Sequence, residues 1–148
     1  MKLYLDTCCY NRPFDDQSQD RIHLESEAVL SIVKRGRIGK DSITGSDVLN
    51  LEIGTISNIE KKDKVSILYE IARRHVTFDD DIEKRAAEIM NVSSIRSFDA
   101  LHIASAEVGE VDYMLTTDDK LEKAAAKLEL KVKVTNPLKY IAEVIEHE

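Results

Sequence analysis

Four acidic residues spread along the chain, Asp6, Glu52, Asp99 and Asp118, are of a type that could carry hydrolytic chemistry. Glu52 and Asp99 interrupt apolar runs, where a charged side chain needs a reason. If the four carboxylates share one cleft, they cannot all stay ionised unaided, because like charges a few ångströms apart raise one another's pKa. Oxygen ligands without a thiolate or paired histidines favour magnesium or manganese over zinc. Such a cation could hold a phosphodiester and lower the pKa of an attacking water.

The spacing of apolar residues predicts the elements that position these acids. We predict strands at about residues 2–6, 42–44, 75–78, 113–116 and 132–134. Helices are predicted at about residues 22–36, 47–56, 65–73, 79–90, 97–106, 118–128 and after 137, with a polar turn at 11–18. Ser46 or Asp47 can cap the second of these helices. This alternation of strands and helices is typical of an α/β sandwich with a mostly parallel central sheet.

The predicted topology gives the acids a common meeting place. In open α/β sheets, binding sites form beyond the carboxyl ends of the parallel strands. Asp6 and Asp118 lie at or just beyond two such ends, and the helices that carry Glu52 and Asp99 can point at the same edge. We therefore expect the four carboxylates to meet in one cleft.

Each acid also has an ordinary structural explanation, which the sequence leaves open. Asp118 can cap its helix, and Asp99 can be stabilised by the dipole at the start of its helix. Asp6 can accept backbone hydrogen bonds from the loop that follows the first strand. Glu52 can lie on an exposed helix face.

Length and composition limit the architecture and the compartment. With 148 residues, the chain is expected to form one domain spanning residues 1–148. No apolar run approaches the roughly 18 residues of a membrane span, and the first residues lack the apolar core of a secretory signal. Cys8 and Cys9 are adjacent, which disfavours a mutual disulfide and matches no zinc pattern. These features predict a cytoplasmic protein with no membrane contact.

The charge balance works against simple binding of nucleic acid. The net charge is −7, whereas affinity for nucleic acid usually depends on basic side chains that neutralise phosphates. A local basic patch or bound metal ions must compensate if such a substrate is used. Basic residues at 34–37 and 73–74 could form an RNA track or simply a solvated surface, and residues 61–64 are predicted to form a polar turn.

Several segments together resemble the PIN-domain family, a group of metal-dependent nucleases that includes VapC-type toxins of toxin–antitoxin pairs. Residues 5–7 (LDT) are similar to the opening strand and aspartate of the family, and residues 51–53 (LEI) to its glutamate on an early helix. Residues 98–106 (FDALHIASA) resemble the central motif and are the most specific match. Residues 115–118 (LTTD) resemble the last acidic strand end. The resemblance rests on the order of these segments, which are spread over nearly the whole chain.

This resemblance implies a three-layer α/β/α fold and hydrolysis of RNA with carboxylate-bound magnesium or manganese. By matching position, Asp6, Glu52, Asp99 and Asp118 would be both the catalytic and the metal-binding residues, with Asp119 a neighbour of uncertain role. The resemblance also implies a homodimer and an antitoxin protein as partner. Thr7 and Thr117 could orient carboxylates or metal-bound water, or be simple turn hydroxyls.

Three features depart from the family pattern or leave a role open. Residues 8–10 (CCY) stand where many members carry an asparagine and aliphatic residues. Arg12 could contact phosphate, although a surface salt bridge is the more common use of such an arginine. His102 shares a helix face with Asp99, and it could act as a general acid or as a partly buried structural histidine.

Three functional hypotheses follow. The first is a metal-dependent endoribonuclease, as the toxin of a toxin–antitoxin pair. The second is a non-catalytic adaptor that keeps the fold and binds RNA or protein, which the acidic net charge favours. The third is a receiver-type phosphoacceptor domain, which also clusters acids at sheet ends. It fits less well because Asp99 is predicted on a helix and no lysine follows a final strand in the expected way.

Overall fold

A parallel sheet of five strands forms the centre of the protein in a computed structural model that describes the backbone of residues 1–148 and all side chains except that of Ile145. The spatial order is β3-β2-β1-β4-β5. The strands are β1 (Lys2–Leu5), β2 (Ser42–Ser46), β3 (Arg74–Val76), β4 (Tyr113–Leu115) and β5 (Lys133–Thr135). All four pairings are parallel, so the carboxyl ends of the strands share one edge of the sheet.

Helices pack on both faces of this sheet and complete the three-layer α/β/α architecture that was predicted. They are α1 (Thr7–Asn11), α2 (Asp20–Arg37), α3 (Asp47–Gly54), α4 (Ile59–Tyr69), α5 (Asp80–Asn91), α6 (Ser97–Val108), α7 (Asp119–Ala126) and α8 (Pro137–Glu146), with one 3-10 turn at Arg12–Phe14. Leu3, Tyr4 and Leu5 are consecutive and fully buried. Because side chains alternate between the faces of a strand, both faces of β1 must be covered. None of the helices described here is both long and apolar enough to cross a membrane.

The start of the predicted turn at residues 11–18 is helical instead. Residues 7–11 form α1, and Arg12–Phe14 continue as a 3-10 turn. Asp6 is the N-cap residue of α1, and its carboxylate accepts a hydrogen bond from the Thr7 amide at 2.8 Å. The sequence gives little sign of this helix, because a five-residue element is too short to show helical periodicity.

The prediction for residues 61–64 was wrong, because they lie inside α4 rather than in a polar turn. This helix begins at Ile59, six positions before the predicted start, and Asn58 caps it by accepting a hydrogen bond from the Lys61 amide at 2.9 Å. Lysine and glutamate favour helices, so a charged run on an exposed face is compatible with a helical turn.

One strand differs from prediction in detail, and the structure decides between the two caps predicted for α3. Strand β3 ends at Val76 rather than at residue 78, because the Phe78 amide donates to the Asp47 carboxylate at 2.8 Å instead of continuing the sheet. The cap of α3 is Ser46, whose hydroxyl accepts a hydrogen bond from the Leu49 amide at 3.0 Å. This cap fixes the start of α3 directly after β2. The first turn of α3 therefore lies at the carboxyl edge of the sheet.

Candidate active site

The four predicted acids line one open cleft of about 360 Å³ at the carboxyl edge of the sheet. Asp6 follows β1, Asp118 precedes α7, Glu52 lies on α3, and Asp99 lies in the first turn of α6. The cleft is also lined by Thr7, Cys8, Asn11, Thr55 and Ile56. The structure thus places in one cleft four residues that are widely separated in the sequence.

Asp6 is held in a fixed orientation at the base of the cleft. Its side chain is buried, and one carboxylate oxygen accepts the Thr7 amide while the other accepts the Thr116 hydroxyl at 2.9 Å. The pairing of Leu5 with Leu115 places Thr116 directly beside Asp6. Asp6 therefore has both the local backbone bond expected of a loop acid and a position in the cleft. Thr116 was missed from the sequence, because its role depends on strand register.

A chain of buried hydrogen bonds holds Glu52. One Glu52 oxygen is bonded to His102 Nε2 at 2.9 Å and also accepts the Thr7 hydroxyl. On the other side of the ring, Nδ1 lies 2.6 Å from the Tyr4 hydroxyl, which lies 2.7 Å from the Ser46 hydroxyl. His102 is fully buried rather than partly buried as expected, and it contacts one of the site acids directly. The Thr7 hydroxyl also orients the Glu52 carboxylate, so it is not simply a turn hydroxyl.

The chemistry of the partners assigns the protons in this chain. An ionised carboxylate can only accept, so His102 Nε2–H donates to Glu52. In the neutral ring, Nδ1 then accepts from Tyr4, whose oxygen accepts from Ser46. Burial alone lowers the pKa of His102, but the hydrogen bond to Glu52 and the charges of Asp6 and other nearby acids raise it above its usual value. Burial raises the pKa of Glu52, yet the bonds from His102 and Thr7 lower it below its usual value.

Asp99 is the site acid with the fewest interactions. Its side chain is half-buried, and no hydrogen bond or ion pair to another described residue satisfies its carboxylate. Burial raises the pKa of Asp99 to about 6, and the negative charges of Asp6, Asp118 and Glu52 add to this effect. The charge of His102 acts in the opposite direction but does not offset the burial and the neighbouring acids.

Asp118 combines capping with a place in the cleft. One of its oxygens accepts the amides of Lys120 and Leu121 at 3.0 and 3.2 Å, so it caps α7 as the ordinary explanation predicts. The second oxygen has no hydrogen-bond partner within the described residues and belongs to an exposed residue of the cleft. Asp119 has a different role, since it forms an ion pair with Arg21 at 2.7 Å.

The donor atoms fit a hard divalent cation. Asp6, Glu52 and His102 offer ligand atoms that all lie within 4.8 Å of one another. Both His102 nitrogens are already bonded to protein groups, so the free ligands on this side are carboxylate oxygens. Asp99 and Asp118 add two further carboxylates to the lining of the same cleft. Oxygen ligands of this kind suit magnesium or manganese better than thiophilic metals.

Buried acids outside the cleft differ from the cleft acids in having arginine partners. Glu25, Asp41 and Glu107 are buried, and each accepts from an arginine at 2.7–2.9 Å. The pairs are Arg12–Glu25, Arg35–Asp41 and Arg85–Glu107. Within the described residues, none of the four cleft acids forms a salt bridge with an arginine or a lysine. His102 is the basic partner of these acids in the described part of the chain, with its Nε2 atom 2.9 Å from Glu52 and 3.8 Å from Asp6. The cleft therefore concentrates negative charge without an arginine or lysine to neutralise it.

The remaining residues considered from the sequence lie outside the acid cleft. Arg12 forms salt bridges with Glu25 and Asp15, which agrees with the structural role. In the basic segment 34–37, Arg35 pairs with Asp41 and Glu148. Arg37 and Arg73 line a separate cleft of about 420 Å³. Thr117 is buried, and its amide donates to the Cys8 sulfur at 3.3 Å.

Comparison with known proteins bears on the family and the fold. A family model described as "PIN domain" matches residues 3–127. A chain in the crystal structure of VapBC2 from Rickettsia felis, bound to a DNA fragment from their promoter, matches with a TM-score of 0.56 and 15% identity, covering 92% of this chain and 98% of that one. A chain of VapBC-5 from Mycobacterium tuberculosis, a member of the VapBC family of toxin–antitoxin systems, has a TM-score of 0.55 and 13% identity, with 91% and 98% covered. No curated protein sequence matches the chain.

Proposed function

Because the chain belongs to the PIN domain family, we propose that it is a metal-dependent endoribonuclease that hydrolyses RNA phosphodiester bonds. The observation that carries the proposal is the absence of any arginine or lysine partner for the four cleft acids among the described residues. Each buried acid elsewhere has such a partner. Four carboxylates without an arginine or lysine partner suit a site for a divalent cation.

The proposed roles follow from how each carboxylate is held. Asp6 and Glu52 present oxygens whose orientation is fixed by Thr116, Thr7 and His102. Asp99 has no protein partner among the described residues and can turn towards a cation or a water. Asp118 offers the oxygen that is not used in capping α7. When bound, Mg²⁺ or Mn²⁺ would supply positive charge to the phosphate and lower the pKa of a water.

The biological setting is part of the proposal. The similarity in fold to chains of VapBC systems supports a role as the toxin of a toxin–antitoxin pair, with an antitoxin protein as partner. We also propose that the protein acts in the cytoplasm as a homodimer. Leu51, Ile59 and Ile67 are exposed on α3 and α4 by 61%, 75% and 66%, and a protein partner could cover them.

The test is cleavage of a labelled pool of mixed RNA sequences by the purified protein with Mg²⁺, Mn²⁺ or a chelator. We expect cutting that requires the metal and falls at least about 10²-fold in Asp6→Asn and Asp99→Asn. Asp63→Asn is the matched control, since it makes the same change at an exposed position on α4. No cutting under any condition by a folded, antitoxin-free protein would contradict the proposal, as would equal cutting by all variants.

A second candidate is a PIN-fold adaptor that binds RNA or protein without cleaving it. The net charge of −7 favours this alternative, because it weakens attraction between the surface and a polyanionic substrate. RNA binding without cleavage, unchanged in Asp6→Asn and Asp99→Asn, would support the adaptor over the nuclease. The receiver-type phosphoacceptor has no support, since the chain belongs to a different family.

A further inference from the structure

Asp119 directly follows the cleft acid Asp118, but its carboxylate is bound to an arginine instead of lining the cleft. Arg21 lies in the first turn of α2 and Asp119 is the first residue of α7, and 98 positions separate them in the chain. Two guanidinium nitrogens, Nη1 and Nη2, each lie 2.7 Å from a different oxygen of the Asp119 carboxylate. Such a bidentate pair fixes the relative orientation of the two groups as well as their distance.

The same guanidinium also reaches the residue on the other side of Asp118. Arg21 Nη2 lies 3.5 Å from the carbonyl oxygen of Thr117, so both residues that flank Asp118 in the chain contact Arg21. Two further bonds hold this segment. The Thr117 amide donates to the sulfur of Cys8, which lines the acid cleft, at 3.3 Å. The Asp118 amide donates to the Thr116 hydroxyl at 3.2 Å.

Arg21 is itself anchored to the protein interior. Its Nε and Nη2 atoms both lie 3.3 Å from Oε2 of Glu25, whose side chain is fully buried. Glu25 in turn accepts from Arg12 at 2.9 Å and from the Asn136 amide group at 2.6 Å. The place of Arg21 is therefore set by a buried hydrogen-bonded group, although the arginine side chain is half-exposed.

The exposed pair between Arg21 and Asp119 is a poor source of stability. The two side chains are 52% and 54% exposed, and ion pairs at such positions usually contribute little to folding. The effect of the pair on position is more important, because Asp118 caps α7 with one oxygen and keeps the other free. That free oxygen can serve a cation only while the start of α7 stays in place.

We propose that Arg21 is a positioning residue of the acid cleft, acting through Asp119 to hold the free oxygen of Asp118 where it binds the divalent cation. The proposal rests on the proposed metal-dependent function and deepens it, because it names a residue outside the cleft that sets metal affinity. Asp119 is then the partner of Arg21 and not a fifth metal ligand.

Metal affinity gives the first test, because charge and position change it in opposite directions. Arg21→Gln removes a positive charge near four carboxylates, so a through-space effect alone would strengthen Mn²⁺ binding. Loss of positioning would weaken it. In titration calorimetry with Mn²⁺ and no RNA, we expect the affinity to fall about threefold. This loss is smaller than the roughly tenfold typical of a group bonded directly to a metal ligand.

A double-mutant cycle tests whether Arg21 acts through Asp119. In the Asp119→Asn background, Arg21→Gln should cause no further loss of affinity, because the bidentate pair is already broken. Lys139→Gln is the matched control. It removes a positive charge that is 63% exposed and breaks the ion pair with Glu122 of α7, but it leaves the start of that helix untouched. The control should keep the wild-type affinity.

Hydrogen exchange gives a second readout that needs no metal. The amides of Lys120 and Leu121 donate to the capping oxygen of Asp118, so their exchange reports whether Asp118 keeps its place. In chelator, we expect both amides to exchange several-fold faster in Arg21→Gln and in Asp119→Asn than in the wild-type protein. Lys139→Gln should leave their exchange unchanged.

The outcomes separate this proposal from the proposed function. The role of Arg21 is overturned if Arg21→Gln binds Mn²⁺ as tightly as the wild-type protein or more tightly, or if the loss is equal in both backgrounds. It is also overturned if the exchange of the two amides is unchanged, or if Lys139→Gln has the same effects. If the wild-type protein binds no Mn²⁺, the metal-dependent function fails, and hydrogen exchange alone decides whether Arg21 positions Asp118.

Discussion

Two regions of the molecule bury or crowd carboxylates, and they balance the charge in different ways. Around Glu25, a fully buried acid, Arg12 and Arg21 supply positive charge and Asn136 donates at 2.6 Å. In the acid cleft, the donors to Asp6 and Glu52 are hydroxyls, a backbone amide, the Cys8 thiol and a histidine. Asp99 has no hydrogen-bond donor among the described residues.

The difference separates a structural charge from a functional one. The ion pairs at Glu25 are complete within the protein, so they need nothing from solution. The cleft acids are oriented but not neutralised, and their mutual repulsion is relieved only by a proton or by an external cation. Variants that remove the Glu25 charge should therefore lower stability, while variants of the cleft should weaken metal binding and, where they remove a carboxylate, relieve repulsion in the metal-free protein. The following three predictions test this contrast, from the largest expected effect to the smallest.

Removing the charge of Glu25 should have the largest effect on stability. We expect Glu25→Gln to lower the free energy of unfolding by about 3 kcal/mol, because it leaves Arg12 without its buried partner. Urea unfolding measures this change. Glu60→Gln is the control, since Glu60 is 81% exposed and its one salt bridge to a described residue is with Lys64. It should change stability by less than about 0.5 kcal/mol. An unchanged midpoint for Glu25→Gln would remove the proposed contrast between the two regions.

Removing His102 should weaken metal binding without removing a ligand oxygen. We expect His102→Leu to reduce Mn²⁺ affinity about tenfold, because groups that orient metal ligands typically contribute that much. Titration calorimetry at a temperature where the variant is folded measures the affinity. His102→Gln can still donate to Glu52 and should recover most of it, which a purely packing role for the ring would not predict. Wild-type affinity in His102→Leu would show that Glu52 needs no such support.

Removing the charge of Asp99 should stabilise the metal-free protein. The pKa of Asp99 is about 6 in the folded protein and about 3.9 in an unfolded chain, so the wild-type protein loses stability as pH rises through this interval. Asp99→Asn avoids that loss. We expect a gain of about 1 kcal/mol at pH 8 and almost none at pH 4, measured by urea unfolding in chelator.

Saturating Mn²⁺ should reverse this order. The cation stabilises the wild-type protein by mass action and binds Asp99→Asn less tightly. The wild-type protein is then expected to unfold at the higher urea concentration. If Asp99→Asn is destabilising in chelator at pH 8, the carboxylate has a favourable partner inside the protein and the cleft is not short of positive charge.

Much of the fold is predictable because its signals are local. The alternation of apolar runs indicates the five strands, and the cap at Ser46 and the proline at 137 mark helix starts. The short helix α1 and the first turn of α4 were missed because α1 is too short to show a period and the start of α4 is almost wholly polar. Local charge does not distinguish an exposed helical face from a turn.

The location of the site is predictable because parallel strands end at one edge, which brings Asp6 and Asp118 together without knowledge of side-chain packing. The partners of the acids are not predictable in this way. Thr116 reaches Asp6 through strand register, and His102 reaches Glu52 through the packing of α3 against α6. Glu25 shows the same limit, since its buried pairing with Arg12 is not apparent in a sequence with 28 acidic residues.

The central position of β1 in the sheet has a consequence for synthesis of the protein. β1 is made first, but its neighbour β4 comes late, and Asp6 and Thr116 are separated by 110 positions. A growing or truncated chain that stops before β4 lacks both Thr116 and Asp118 and has no acid cleft. Contacts over such sequence separations also form slowly. The proposed nuclease activity would therefore require that most of the chain has been made and has folded.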